Sequence, residues 1–110
     1  MGKVNNILEI KGRVVFSVEP TVMVLKAIEL MGEKNIGGVL ITEGEKLVGI
    51  FTERDYARKL ILKGKSSGKT SISEVMTPSP VTVTPDSSIE DCMEVMTARK
   101  IRHLPVVENG

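Results

Sequence analysis

Residues 16–45 read FSVEPTVMVLKAIELMGEKNIGGVLITEGE, and residues 81–110 read VTVTPDSSIEDCMEVMTARKIRHLPVVENG. A shift of 65 residues lays the second run over the first without a gap. Val18 falls on Val83, Pro20 on Pro85, Glu29 on Glu94, Met31 on Met96, Ile36 on Ile101 and Glu43 on Glu108. Other pairs keep their character, as Val24 does with Ile89 and Val39 with Leu104. Repetition at one fixed offset means a single supersecondary unit built twice, so the local reading of either copy constrains the other.

Each copy predicts the same elements. A short β segment, residues 14–18 or 81–84, ends at a proline, which cannot continue a central ladder. Val24, Ala27, Ile28 and Met31 then stand at i, i+3, i+4 and i+7, as do Ile89, Cys92, Met93 and Met96, the spacing of one buried helix face. Ser87 followed by Glu90 reads as a capping box opening the second of these helices. The apolar runs 39–42 and 104–107 are short enough for buried strands. In the first copy Glu43-Gly44-Glu45 makes a turn into a third strand, 47–51, and a helix over 53–62 closes the unit.

The organisation expected is an N-terminal segment (residues 1–13, with a short helix near 4–10), a first repeat (14–62), a linker (63–74) and a second repeat (75–110). The linker is Gly, Ser and Lys without periodicity, a solvated connector. The second copy stops at Gly110, where the first still has residues 46–62 to come. The expectation is therefore that the natural chain continues, or that a partner chain covers the gap.

Composition narrows the function classes. Apolar residues make up 41% of the chain, which suits a globular protein, while 3% aromatics and no Trp leave few stacking platforms for exposed nucleic-acid bases. Lys plus Arg number 15 against 14 for Asp plus Glu, so overall charge selects no polyanionic partner. A single cysteine, Cys92, rules out an internal disulfide. No stretch approaches the roughly 20 apolar residues that span a bilayer, and the first residues do not form a secretory leader. A cytoplasmic protein is the expectation.

Candidate chemistry concentrates in Gly49-Ile50-Phe51-Thr52-Glu53-Arg54-Asp55, a strand end leading into a helix. Free N–H groups at a helix start favour an anion. Asp55 could accept hydrogen bonds from two vicinal hydroxyls, Thr52 could give or accept one, and Arg54 could grip a phosphate. Thr-x-x-Asp is equally a capping-box variant, so both residues could instead satisfy backbone N–H groups. The second copy places Arg102-His103 where the first has Gly37-Gly38, which points to an asymmetric pair with one charged site. Cys92 and His103 are the only thiol and imidazole. Cys92 lies on the apolar helix face, so neither Cys–His catalysis nor a zinc site is expected.

These strings resemble cystathionine-β-synthase (CBS) domains, and together a CBS pair or Bateman module of the small stand-alone kind, its second repeat truncated. The pieces that match are Ser17-Val18-Glu19-Pro20, Gly37-Gly38-Val39-Leu40-Ile41, residues 47–55, Val75-Met76-Thr77, Val81-Thr82-Val83-Thr84-Pro85 and residues 101–107. The resemblance implies an α/β (α+β) fold of tandem βαββα repeats packed sheet to sheet with pseudo-two-fold symmetry. It implies that Asp55 holds ribose hydroxyls, with Thr52 and Arg54 toward ribose and phosphate. Pro80, Val81, Thr82, Ile101 and Pro105 would border the base, and Arg102 and His103 would face phosphate. A second site would need a Thr-x-x-Asp element beyond Gly110.

The implied ligands are AMP, ADP or ATP, with S-adenosylmethionine as an alternative, bound as a regulatory ligand and not as a cofactor. The implied protein is no enzyme: it forms a homodimer through CBS helices and acts on a target protein that the sequence does not identify. A ligand-free dimerisation module is the competing reading, and a nucleic-acid-binding accessory domain a more distant one. On these terms Asp55→Ala should remove ligand affinity with little change in melting temperature.

Overall fold

The computed structural model describes residues 2–12 and 14–108. The chain divides into two compact units: residues 16–80, and residues 1–15 together with 81–110.

The first unit is built on a four-stranded sheet of order β1-β2-β3-β4. β1 (Ser17–Val18) pairs parallel with β2 (Gly38–Glu43), β2 pairs antiparallel with β3 (Lys46–Thr52), and β3 pairs antiparallel with β4 (Thr77–Pro78). The parallel step requires a crossover, supplied by helix α2 (Val24–Lys34). Its stripe Val24, Ala27 and Met31 is buried, as the spacing predicts. Alternation along the strands sends Val39 and Ile41 of β2 and Phe51 of β3 to the same core, which Leu60, Ile72 and Val75 complete. Gly44 opens the β2–β3 hairpin with φ 61, the first central position of a tight turn, where glycine carries no Cβ penalty. A register shift after Ile41 leaves Val48 as the extra residue of a bulge, and its carbonyl accepts the Ser79 N–H at 3.3 Å.

After β3 the chain turns into α3 (Glu53–Asp55), which continues as a π-helix over Tyr56–Ile61. The wide spacing shows in the bond from the Leu62 N–H to the Ala57 carbonyl at 3.0 Å. The segment expected as one α-helix over 53–62 therefore begins helical and then widens, with Leu60 buried in the core. The linker is largely irregular, but Ile72–Glu74 forms a 3₁₀ turn.

The second unit holds α1 (Val4–Lys11) and α4 (Ile89–Arg99). The repeat carries through to individual bonds. Val18 pairs with Ile41 in the first unit, and Val83 pairs with Val106, also parallel, at the matching positions of the second. Helix α2 ends at Asn35 in the left-handed region (φ 54), and α4 ends at Lys100 (φ 56). The residue after each cap donates to the matching helix carbonyl, Ile36 to Met31 and Ile101 to Met96, both at 3.0 Å. Asn tolerates this conformation more readily than Lys, so the second copy carries the more costly cap.

An extended arm runs along each helix start in the same way. Residues 70–73 bond to 20–24 in the first unit, through Val24 N–H to Thr70 carbonyl and Ile72 N–H to Val22 carbonyl. Residues 2–5 bond to 85–89 in the second, through Ile89 N–H to Gly2 carbonyl and Val4 N–H to Ser87 carbonyl.

The mixed α+β architecture is the one expected, and three further local expectations are corrected. Strand 14–18 is reduced to Ser17–Val18. The runs 81–84 and 104–107 pair with each other only through the Val83–Val106 bridge among the described residues. The cap of α4 is Ser88, whose hydroxyl accepts the Asp91 N–H at 3.0 Å, while Ser87 Oγ accepts the Thr84 N–H at 3.0 Å in the turn before it. Hydrophobic spacing locates a helix face but leaves adjacent serines undecided.

Candidate functional site

Thr52 is the last residue of β3 and stays extended (φ −124, ψ 170), so the helix beyond it starts with unpaired N–H groups. Asp55 meets that need. Its Oδ2 accepts the Thr52 N–H at 3.0 Å and the Thr52 hydroxyl at 3.3 Å, while Thr52 Oγ1 accepts the Asp55 N–H at 3.4 Å. The Glu53 N–H donates to the Gly37 carbonyl at 3.1 Å, which ties the helix start to the loop before β2. Of the two roles open to Thr-x-x-Asp, the reciprocal cap is formed in this structure.

The other carboxylate oxygen is also engaged. Oδ1 accepts the Thr77 hydroxyl at 3.0 Å and lies 3.1 Å from the Lys59 ammonium. Lys59 reaches the Met76 carbonyl and Thr77 Oγ1 as well, both at 3.4 Å. An ionised carboxylate has about four acceptor positions, and here four donors fill them. Asp55 is 6% exposed, so this pairing compensates its removal from water. Sequence reasoning missed both outer partners. Lys59 was accessible to it, since an acid four residues before a lysine on a helix is a favourable pair. Thr77 was not, because β4 joins this sheet only through tertiary pairing 22 residues away.

The remaining candidate residues fall as follows. Arg54 is exposed on the first turn of α3, and Pro80 ends the first unit half-buried. Val81, Thr82, Ile101, Arg102, His103 and Pro105 belong to the second unit. There the Val83–Val106 bridge, with the Val83 N–H on the Pro105 carbonyl at 3.0 Å, brings the run 81–83 alongside 104–106. Arg102 and His103 are exposed immediately before that run, whereas Pro105 is buried.

Cys92 is buried on α4 while His103 is exposed. Burial, reinforced by the Asp91 carboxylate, pushes the Cys92 thiol above its ordinary pKa. Its proton is therefore held more tightly in the folded state. The associated stability is present below the unfolded thiol's pKa, about 8.5, and is lost as pH rises through the folded value. Iodoacetamide should alkylate folded Cys92 at pH 8 at least about tenfold more slowly than the urea-unfolded chain. Equal rates, followed by mass spectrometry, would place the thiol in solvent. Among the described residues no group of three His, Cys, Asp or Glu side chains could hold a metal ion, and no helix is long and apolar enough to cross a membrane.

Comparison with known proteins adds to this geometry. The family model described as CBS domain matches residues 8–62 and again 72–110. The mitochondrial CBS domain-containing protein CBSX3 of Arabidopsis thaliana is 38% identical over 91 residues, covering 78% of this chain and 44% of its own length. The chain thus spans under half of that relative. A solved CBS-domain protein from Burkholderia ambifaria superposes with a TM-score of 0.94 at 42% identity, covering 99% of this chain and 82% of the other. The CBS domain pair of protein MJ0100, solved with 5′-methylthioadenosine and S-adenosyl-L-methionine, superposes with a TM-score of 0.84 at 27% identity, covering 98% and 85%. With both repeats matched, and with one parallel strand pair and the left-handed helix ends recurring at equivalent positions, the chain belongs to the CBS-domain family and carries two CBS domains in tandem.

Proposed function

We propose that this CBS pair is a regulatory, non-catalytic module that binds an adenine nucleotide (AMP, ADP or ATP) and passes its occupancy to a partner protein. The observation that carries the reading is the Asp55 carboxylate. It is a buried acceptor at a strand end whose Oδ1 takes two donors, Thr77 Oγ1 and Lys59 Nζ, as it could take the two hydroxyls of a ribose. In this reading Thr52 and Arg54 approach ribose and phosphate, Pro80, Val81, Thr82, Ile101 and Pro105 border the base, and Arg102 and His103 meet phosphate. The protein acts as a homodimer in the cytoplasm.

A second reading has its own support, since a similar CBS pair was solved with S-adenosyl-L-methionine. Charge separates the two: Arg54 and Arg102 would attract a phosphate and repel the cationic sulfonium of S-adenosylmethionine. Calorimetric titration with AMP, ADP, ATP, adenosine and S-adenosylmethionine is the test. Arg102→Ala should weaken AMP binding about tenfold or more and adenosine binding little, the loss of a hydrogen bond to a charged group. Equal losses for AMP and adenosine would place Arg102 away from phosphate. Preference for S-adenosylmethionine over all three nucleotides would replace the nucleotide reading with the second. An oligonucleotide that competed for the protein with a steep salt dependence would favour a nucleic-acid partner.

A further inference from the structure

The four donors on Asp55 have a consequence for how such a ligand can enter. Resting on the reading just proposed, we infer that Thr77 and Lys59 form an internal latch, holding the carboxylate oxygen that a ribose diol requires, so that ligand binding must release β4. Oδ2 belongs to the Thr52 cap, and both its donors come from one residue three positions away. Oδ1 is held by groups from elsewhere: the Thr77 hydroxyl at 3.0 Å and the Lys59 ammonium at 3.1 Å. Lys59 also binds the Met76 carbonyl and Thr77 Oγ1 at 3.4 Å, so it ties the carboxylate to the strand as well as pairing with it. A diol reaching Oδ1 must displace these donors, since an oxygen with two acceptor positions filled has none to offer.

The strand that carries Thr77 is weakly built. β4 is two residues long, pairs only through Gly49–Pro78 and Ile50–Thr77, and includes a proline that cannot donate to the ladder. Ser79 follows with φ 46, an uncommon conformation for a residue with a Cβ, and is held by its N–H on the bulged Val48 carbonyl. Pro80 is the last residue of the first unit. The latch therefore lies where the chain leaves its sheet, and exchanging Thr77 for a ligand hydroxyl frees that exit. By linkage, whatever loosens β4 strengthens ligand binding, and whatever clamps β4 opposes it. Lys59 and Thr77 are positioning residues here; they tune access to Asp55.

Adenosine is the discriminating probe, because it has the diol but no phosphate for Lys59 to attract. Calorimetric titration of the full chain and of its Thr77→Val and Lys59→Met variants should show tighter adenosine binding in the variants. About three- to tenfold is expected for Thr77→Val, the scale of one hydrogen bond, and less for Lys59→Met, whose side chain is 40% exposed. Saturating the unsubstituted protein with adenosine should also speed hydrogen exchange at the Ser79 amide. A gain in affinity in at least one variant, together with faster Ser79 exchange, supports the latch, as does binding by the variants alone. Unchanged or weaker binding in both variants, or an unmoved Ser79 amide in a protein that does bind adenosine, overturns the latch and leaves the binding reading standing. Absence of binding in all three proteins at millimolar adenosine removes the binding reading, and the latch with it.

Discussion

Phe51→Ala should destabilise the protein by about 3–5 kcal/mol, the largest effect expected of any single truncation in the chain. Phe51 is 0% exposed and is the largest side chain buried to that extent. It sits in one cluster with Val24, Ala27, Val39, Ile41, Leu60, Ile72 and Val75, residues contributed by α2, both central strands, the π-helix and the segment before β4. Truncation removes the apolar area that Phe51 buries and leaves a cavity that elements tied together on several sides cannot collapse to fill. Domains of this size are stable by about 5–15 kcal/mol, so the variant would stand near unfolding. Urea denaturation should show a much lower midpoint at an unchanged slope. A loss under about 1 kcal/mol would mean that the position is not packed as described. Ligand affinity would fall only with the folded fraction, except that Phe51 directly precedes Thr52, so a shifted strand end would also disturb the cap.

Asp55→Ala should have two separable effects, and the structure changes what the sequence alone leads one to expect. Ligand affinity should fall below detection, as the ribose reading requires. Stability should fall as well, by about 2 kcal/mol, about half from the cap and half from the Thr77 hydrogen bond. The Lys59 pair adds little, because Lys59 is 40% exposed and solvent screens it. In thermal melts that loss amounts to roughly 8–16 °C for a domain of this size. The expectation of an almost unchanged melting temperature rested on a carboxylate free for ligand. The carboxylate here is saturated from within. Titration and melting on the same protein sample decide between the roles: intact affinity with lowered stability would make Asp55 a cap and nothing more, and lost affinity with unchanged stability would mean that the four donors contribute nothing.

Much of the architecture was legible because the chain states it twice. An offset of 65 residues read from letters alone reappears as matched backbone bonds, down to Asn35 and Lys100 sharing a left-handed cap. Periodicity identified the α2 face, a short apolar run identified β2, and the Glu43-Gly44-Glu45 turn identified the hairpin into β3, since each is a local property that backbone geometry imposes on sequence. The strand β4 and the arms at residues 2–5 and 70–73 left no such trace. Their partners lie far along the chain, and a two-residue strand with a proline carries no pattern to detect.

The same division holds at the site. The sequence by itself determined that a Thr-x-x-Asp element stands at a strand end inside a duplicated frame, because spacing and residue type suffice for that. Only the tertiary structure decided that a donor from outside this segment reaches the Asp55 carboxylate, by folding Thr77 back beside β3. A carboxylate's role depends on which donors reach its oxygens, and that is a matter of three-dimensional distance which chain order does not encode.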